Sequence, residues 1–214
     1  MIAIIDYGMG NLHSVNKALA YVGADPVITQ DPDVLQRAAG AVLPGVGAFA
    51  RAMEHLEEAG LIEPIRALLA TGKPFLGICL GLQLLFETSE ERFGADEPLP
   101  RGLGIIPGRV CRFPTNDAVP GLKVPQIGWN TLRFPRPSRL FNGIESGSWV
   151  YFVHSYYAAP DDPDVVAATT EYGFEYCSAV ERDNVMAVQF HPEKSGRVGL
   201  HILSNFAALC RTAL

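Results

Sequence analysis

Residues 75–83 read Phe75-Leu76-Gly77-Ile78-Cys79-Leu80-Gly81-Leu82-Gln83, an apolar run that meets a cysteine bracketed by two glycines. Phe75 to Ile78 predicts a buried strand and the run from Leu82 to Phe86 a helix, so Cys79 falls at the turn between them. A G-x-C-x-G at such a junction has the form of a nucleophile elbow, in which small neighbours let the chain turn sharply and lift one side chain to the top of a sheet. A helix starting just beyond would also favour a thiolate, through the positive end of its macrodipole. The bland alternative is a buried thiol ending a core strand, but that role does not call for glycine on both sides.

Upstream, Met1 to Asp6 predicts another buried strand, and Leu12, Val15, Leu19 and Val22 then recur at helical spacing until Gly23. Pro26 to Thr29 and Ala41 to Leu43 supply two more strands, with Asp31 suited to cap the helix between them that holds Val34 and Leu35. Phe49, Met53 and Leu56, then Leu61, Ile65 and Leu68, mark two helical faces before the Thr71-Gly72 break. Alternation of this kind predicts an α/β fold of three layers, flavodoxin-like, with a mostly parallel central sheet and flanking helices on both faces. Beyond Ser89, prolines and glycines punctuate a loop-rich stretch followed by short strand-like runs near Ile105, Trp129 and Trp149. A further strand from Asn184 to Phe190 and a closing amphipathic helix through Val198, Ile202, Phe206 and Leu209 make the second half richer in strand. With 214 residues and no internal repeat, a single domain over residues 1–214 is expected.

Hydrophobic residues at 48% and charged residues at 19% exclude a disordered or fibrous chain. The net charge of −6 argues against a nucleic-acid binder, which would display a basic face. Met1 to Ile5 is apolar but is stopped by Asp6 and has no basic leader, so neither a signal peptide nor a membrane span is expected, and the cytoplasm is the expected location. The four cysteines, Cys79, Cys111, Cys177 and Cys210, are scattered without a C-x-x-C pair, which fits free thiols in a reducing compartment.

A thiol nucleophile needs a base and, for a nitrogen leaving group, an acid, and histidine serves both near neutral pH. Of the five histidines, His13 and His201 fall in amphipathic helices, His55 on a charged one, and His154 at the end of an aromatic strand. His191 ends the strand Asn184 to Phe190 and opens His191-Pro192-Glu193, where a carboxylate two residues on can orient the imidazole. The predicted catalytic set is therefore Cys79, His191 and Glu193. A metal site would need three or four converging ligands, so neither a metal nor a cofactor is expected. The oxyanion of a tetrahedral intermediate calls for two backbone N–H groups. Leu80, following the nucleophile, offers one, and Val46, in the glycine-rich loop Leu43-Pro44-Gly45-Val46-Gly47-Ala48-Phe49, is expected to offer the other.

Gly77 to Gly81, His191-Pro192-Glu193 and the loop Pro44 to Gly47, in that fold, resemble the class I (triad) glutamine amidotransferases over essentially the whole chain. Asp6-Tyr7-Gly8-Met9-Gly10-Asn11-Leu12, Pro125-Gln126-Ile127-Gly128-Trp129-Asn130, His154-Ser155-Tyr156-Tyr157 and His191-Pro192-Glu193-Lys194-Ser195 are similar to one branch of that family, the glutaminase subunits of imidazole glycerol phosphate synthases. The resemblance implies that L-glutamine is the substrate, that Cys79 forms a glutamyl thioester, and that ammonia passes to a (β/α)8-barrel cyclase in a heterodimer of histidine biosynthesis. It further implies that Gly47, Gln83, Ser155 and Tyr156 hold the glutamine, and that Asn11, Trp129, Tyr151 and Lys194 lie at the face that docks the cyclase. A glutaminase of another synthase (aminodeoxychorismate, anthranilate or pyridoxal phosphate), a stand-alone cysteine hydrolase, and a scaffolding subunit without chemistry are the rival readings.

Overall fold

The computed structural model describes residues 1–92, 94, 96–114 and 119–212. Its first half alternates as the apolar periodicity demands: β1 (Ile2–Ile5), α1 (Leu12–Tyr21), β2 (Pro26–Thr29), α2 (Pro32–Arg37), β3 (Gly40–Gly45), α3 (Phe49–Glu58), α4 (Ile62–Ala70), β4 (Phe75–Cys79) and α5 (Leu80–Gln83). Strands dominate the remainder of the chain: β5 (Phe86–Ser89), β6 (Ile106–Arg112), β7 (Gln126–Thr131), β8 (Trp149–His154), β9 (Tyr156–Pro160), β10 (Val166–Glu171), β11 (Glu175–Arg182) and β12 (Val185–Val188), before α6 (Gly196–Thr212) closes it.

One sheet runs in the order β2-β1-β3-β4-β12-β11-β9-β6-β5, with β10 pairing β11 beside this path. The five strands from β2 to β12 are mutually parallel, and antiparallel pairing begins where β11 meets β12. Burial on both faces explains why β1, β3, β4 and β12 are continuously apolar, while the edge strand β2 is half-buried. Ile2 and Ile4 join Leu76, Ile78 and Val188 under α1 and α6, where Leu19 and Phe206 fill the layer. Ala3 and Ile5 point the other way, with Leu43, Phe75 and Ala187, against Leu56 of α3 and Ile65 of α4. A separate antiparallel hairpin, β7 with β8, packs Val150 and Phe152 onto the α6 side.

The expected helix from Leu82 to Phe86 is a correction. The helix is a single turn, Leu80–Gln83, and Phe86 opens a strand paired in register with Ile106. Leu85 and Phe86 are wholly buried, and the Leu85 carbonyl accepts the N–H groups of Ile105 and Ile106, so tertiary pairing overrides a helical pattern. So short a helix has few aligned peptides, which leaves little macrodipole to act on Cys79. No helix among the described residues is long and apolar enough to cross a membrane.

Candidate active site

Parallel register brings three strand ends to one edge of the sheet. Pro44 and Val188 both lie level with Ile78, and Gly45 lies level with Cys79, so the loops after β3, β4 and β12 converge there, the usual ligand-binding edge of such sheets. Cys79 itself has φ of 56°, a left-handed conformation rarely adopted by a residue with a side chain. The flanking glycines make this turn possible. A Cβ on Gly77 would lie 2.7 Å from the Gly81 carbonyl oxygen, and one on Gly81 would overlap the Leu43 carbonyl oxygen.

His191 follows β12, and its Nδ1 lies 2.8 Å from Glu193 Oε1, with both side chains almost fully buried. The turn that carries them is clamped from two sides. Its His191 N–H donates to the Tyr151 carbonyl at 2.9 Å, while Ser195 Oγ accepts from the Tyr151 N–H at 2.9 Å and donates to the His191 carbonyl at 2.6 Å. From below, α6 approaches so closely that a Cβ on Gly199 would overlap the Pro192 carbonyl. Burial by itself lowers the imidazole pKa, but hydrogen bonding and charge from Cys79 and Glu193 outweigh it and raise the pKa to about 9. Nε2 of His191 completes no hydrogen bond of standard geometry. The thiol is close enough to act on the ring's pKa but not aligned with it, as is common before a substrate tightens a site.

A cavity of about 440 Å³ opens at this edge, lined by Val46, Gly47, Cys79, Leu80, Gln83, Ser155, Tyr156 and His191, together with Glu91 and His154. Every residue expected to serve chemistry, oxyanion or substrate is therefore at the cavity wall, except Glu193, which stands behind His191. Two residues were missed by the sequence reading. Glu91 emerges from the loop-rich stretch without any local signal, and its Oε2 accepts the Phe49 N–H at the start of α3 at 2.8 Å. Burial raises its carboxyl pKa against the opposing effect of that hydrogen bond. Gln189 is fully buried, with its Nε2 3.7 Å from Cys79 Sγ. A polar residue in the run Val185 to Phe190 was the available clue to it. A second cavity of about 440 Å³, near Arg139 and Glu181, is remote from this edge, and its carboxylate is already held by Ser138 and Arg139.

The four expected docking residues fall in two groups. Trp129 and Tyr151 are cross-strand partners with ring centroids 6.1 Å apart, on the outward face of the hairpin. That face also carries Ile127, Trp149 and Val153, with Ile127, Trp129 and Trp149 each more than half exposed. Asn11 caps α1 and lines a narrow cleft beside Pro44, Gly45, Val46, His191 and Glu193, and the exposed Lys194 follows Glu193 directly. Among the described residues no group of three or more His, Cys, Asp or Glu side chains is arranged to hold a metal.

A cysteine elbow, a histidine with its carboxylate and a three-layer α/β sheet together define a class of hydrolytic and transfer enzymes, and the chain belongs within it to the family Glutamine amidotransferase class-I, which it matches over residues 3–210. It is 57% identical over 208 residues to the imidazole glycerol phosphate synthase subunit HisH of Syntrophotalea carbinolica, a match covering 96% of this chain and 98% of that one. The corresponding HisH subunit of Geobacter metallireducens is 55% identical over 208 residues, 96% of this chain and 97% of that protein. Among solved structures, a glutamine amidotransferase superposes with a TM-score of 0.73 at 19% identity, covering 99% of this chain and all of the other, a likeness of fold.

Proposed function

We propose that this chain is the glutaminase subunit of an imidazole glycerol phosphate synthase, hydrolysing L-glutamine to glutamate and ammonia for a (β/α)8-barrel cyclase partner in the cytoplasm. The observation that carries the reading is the cavity in which Cys79 and His191 meet, in a chain more than half identical over nearly its whole length to HisH subunits.

In this reading the Cys79 thiolate attacks the side-chain carbonyl carbon of glutamine, and the resulting oxyanion accepts N–H groups from Leu80 and Val46. The His191 imidazolium, its charge balanced by Glu193, donates its Nε2 proton to the leaving nitrogen, and ammonia departs as the thioester forms. Water then attacks the thioester, giving its proton to His191, and the second tetrahedral intermediate collapses to glutamate and the Cys79 thiolate. At the other end of the substrate, Glu91 supplies a negative charge and Gln83 a carbonyl oxygen for the α-ammonium, while Gly47 and the backbone near Ser155 and Tyr156 hold the carboxylate end.

Two features support a partner. The exposed apolar hairpin around Trp129 and Tyr151 is the kind of surface that proteins cover, and Tyr151 is hydrogen-bonded through its backbone to the turn carrying His191. Ammonia released into water would be protonated and lost, so a shielded path to an acceptor suits the chemistry. Glutamate release is therefore expected to be slow from the isolated chain and faster by at least about tenfold with the cyclase and its acceptor present. Equal rates in a coupled glutamate assay with and without the partner would reject the coupled role, and no release from glutamine under either condition would reject the glutaminase itself.

A further inference from the structure

Gln189 is a fully buried polar side chain hydrogen-bonded to the nucleophile, and the proposed reaction leaves it without a task. Val188 pairs with Ile78, so the next residue of the chain arrives beside Cys79, and the Gln189 N–H is anchored to the Ser178 carbonyl of β11 at 2.9 Å. Its side chain bridges two parts of the site. Gln189 Oε1 accepts from Gln83 Nε2 at 3.1 Å, and Gln189 Nε2 points to Cys79 Sγ at 3.7 Å.

The direction of these bonds is determined from one end. Gln83 Nε2 also donates to the Tyr156 carbonyl at 3.2 Å, and a backbone carbonyl can only accept. Both hydrogens of that amide are thus engaged inside the protein, and Gln189 has to face it with its oxygen. What remains of Gln189 for the sulfur is N–H. Two consequences arise for the atoms at the cavity. The sulfur is held as an acceptor on its Gln189 side, which leaves its own hydrogen free for transfer to Nε2 of His191, a nitrogen with no other partner. Gln83, with both N–H groups spent, presents its oxygen as the acceptor left for a ligand.

We propose that Gln189 is a positioning residue with two ends: its N–H holds the Cys79 sulfur as a hydrogen-bond acceptor, and its oxygen locks Gln83 with the carbonyl available to glutamine. The proposal rests on the glutaminase reading of the site. A leucine or methionine would fill the same space without a buried amide to satisfy, an amide that costs about 1–3 kcal/mol if left unbonded. Packing alone therefore does not account for glutamine here. The ionisable groups around the sulfur are His191 from the turn after β12 and Tyr7, whose pKa Cys79 influences, from the end of β1. Glu193 stands behind the ring and Glu91 on the cavity wall.

The test compares wild type, Gln189→Glu and Gln189→Leu, each assayed with the cyclase and its acceptor for glutamine KM and kcat. Each is also followed without glutamine for the pH dependence of iodoacetamide alkylation at Cys79, read by mass spectrometry. Gln189→Glu keeps an oxygen for Gln83 but turns a carboxylate oxygen toward the sulfur. Its alkylation midpoint is expected to rise by about one pH unit, a tenfold loss of thiolate at fixed pH, with KM changed by less than about threefold. Gln189→Leu removes both ends, so its midpoint rises as well and KM increases by about tenfold. A residue that merely packs would lower the melting temperature and leave midpoint and KM in place, and either an unmoved midpoint in Gln189→Glu or an unmoved KM in Gln189→Leu overturns the proposal. Should Gln189→Leu lose its far-ultraviolet circular dichroism, Gln189→Met replaces it with the same expectations. The alkylation arm needs no glutamine turnover, so wild type that alkylates with the expected contrast yet releases no glutamate would sink the functional reading and spare the Gln189 polarity.

Discussion

His191 and His154 each stand at the end of a strand beside the same cavity, both nearly inaccessible to water, and their protons are pulled in opposite directions. Around His154 the partners are neutral: the Tyr156 carbonyl lies 2.7 Å from Nδ1, and Gln126 Oε1 and Tyr176 Oη lie 3.1 Å and 3.2 Å from Nε2. Burial is then the largest influence and lowers the pKa to about 4, against some support from the Tyr156 carbonyl. His191 suffers the same burial, but Cys79 and Glu193 more than offset it. The pair teaches that burial among neutral partners favours the neutral imidazole, whereas a carboxylate on one nitrogen and a thiol near the other favour the protonated one, the state the proposed reaction asks of His191.

The largest effect that can break this contrast is on turnover. His191→Asn is expected to lower kcat for glutamine, measured with the cyclase, by about 10³-fold or more, whereas His154→Asn should keep kcat within about tenfold. Comparable losses in both variants would erase the distinction. Glu193→Gln sharpens it by keeping the shape and removing the charge behind His191. Its kcat is expected to fall by about 10²-fold or more, with glutamine KM little changed, in the same steady-state assay.

On stability the order reverses. His154→Asn leaves its polar partners imperfectly matched and is expected to cost about 1–3 kcal/mol in urea unfolding, while Glu193→Gln costs less. The smallest effect lies in the pH profile of folding. His191 has a folded pKa raised from the ordinary 6.5, so its contribution is complete below pH 6.5 and is lost as pH rises through about 9. His154 has a folded pKa depressed from 6.5, so its contribution is present above pH 6.5 and is lost as pH falls toward about 4. Urea unfolding between pH 4 and 9.5 should therefore show His191→Asn flattening the alkaline limb and His154→Asn flattening the acid one, and the opposite assignment would refute the contrast.

Much of this arrangement was legible before any coordinates. The apolar runs of the first half become strands and helices close to their expected bounds, because a strand buried on both faces and an amphipathic helix leave different periods in the chain. Gly77, Cys79 and Gly81 announced a tight turn, and His191-Pro192-Glu193 a histidine with a carboxylate in reach. The run from Leu82 to Phe86 misled because its apolar spacing suits a helix, while the partner that makes Phe86 a strand, Ile106, lies beyond a long loop. Glu91 was invisible for a similar reason: nothing in its neighbours shows that its loop folds back to the start of α3.

The sequence by itself determined the kinds of element, the strained cysteine turn and the residue types able to run thiol chemistry, since each depends on steric and chemical properties of near neighbours. Only the tertiary structure decided that β12 lies against β4, and with it that His191 and Gln189 reach Cys79 from more than a hundred residues away. Strand order is set by the burial of whole faces and by which edges find partners, and those are sums over the folded molecule that no local stretch records.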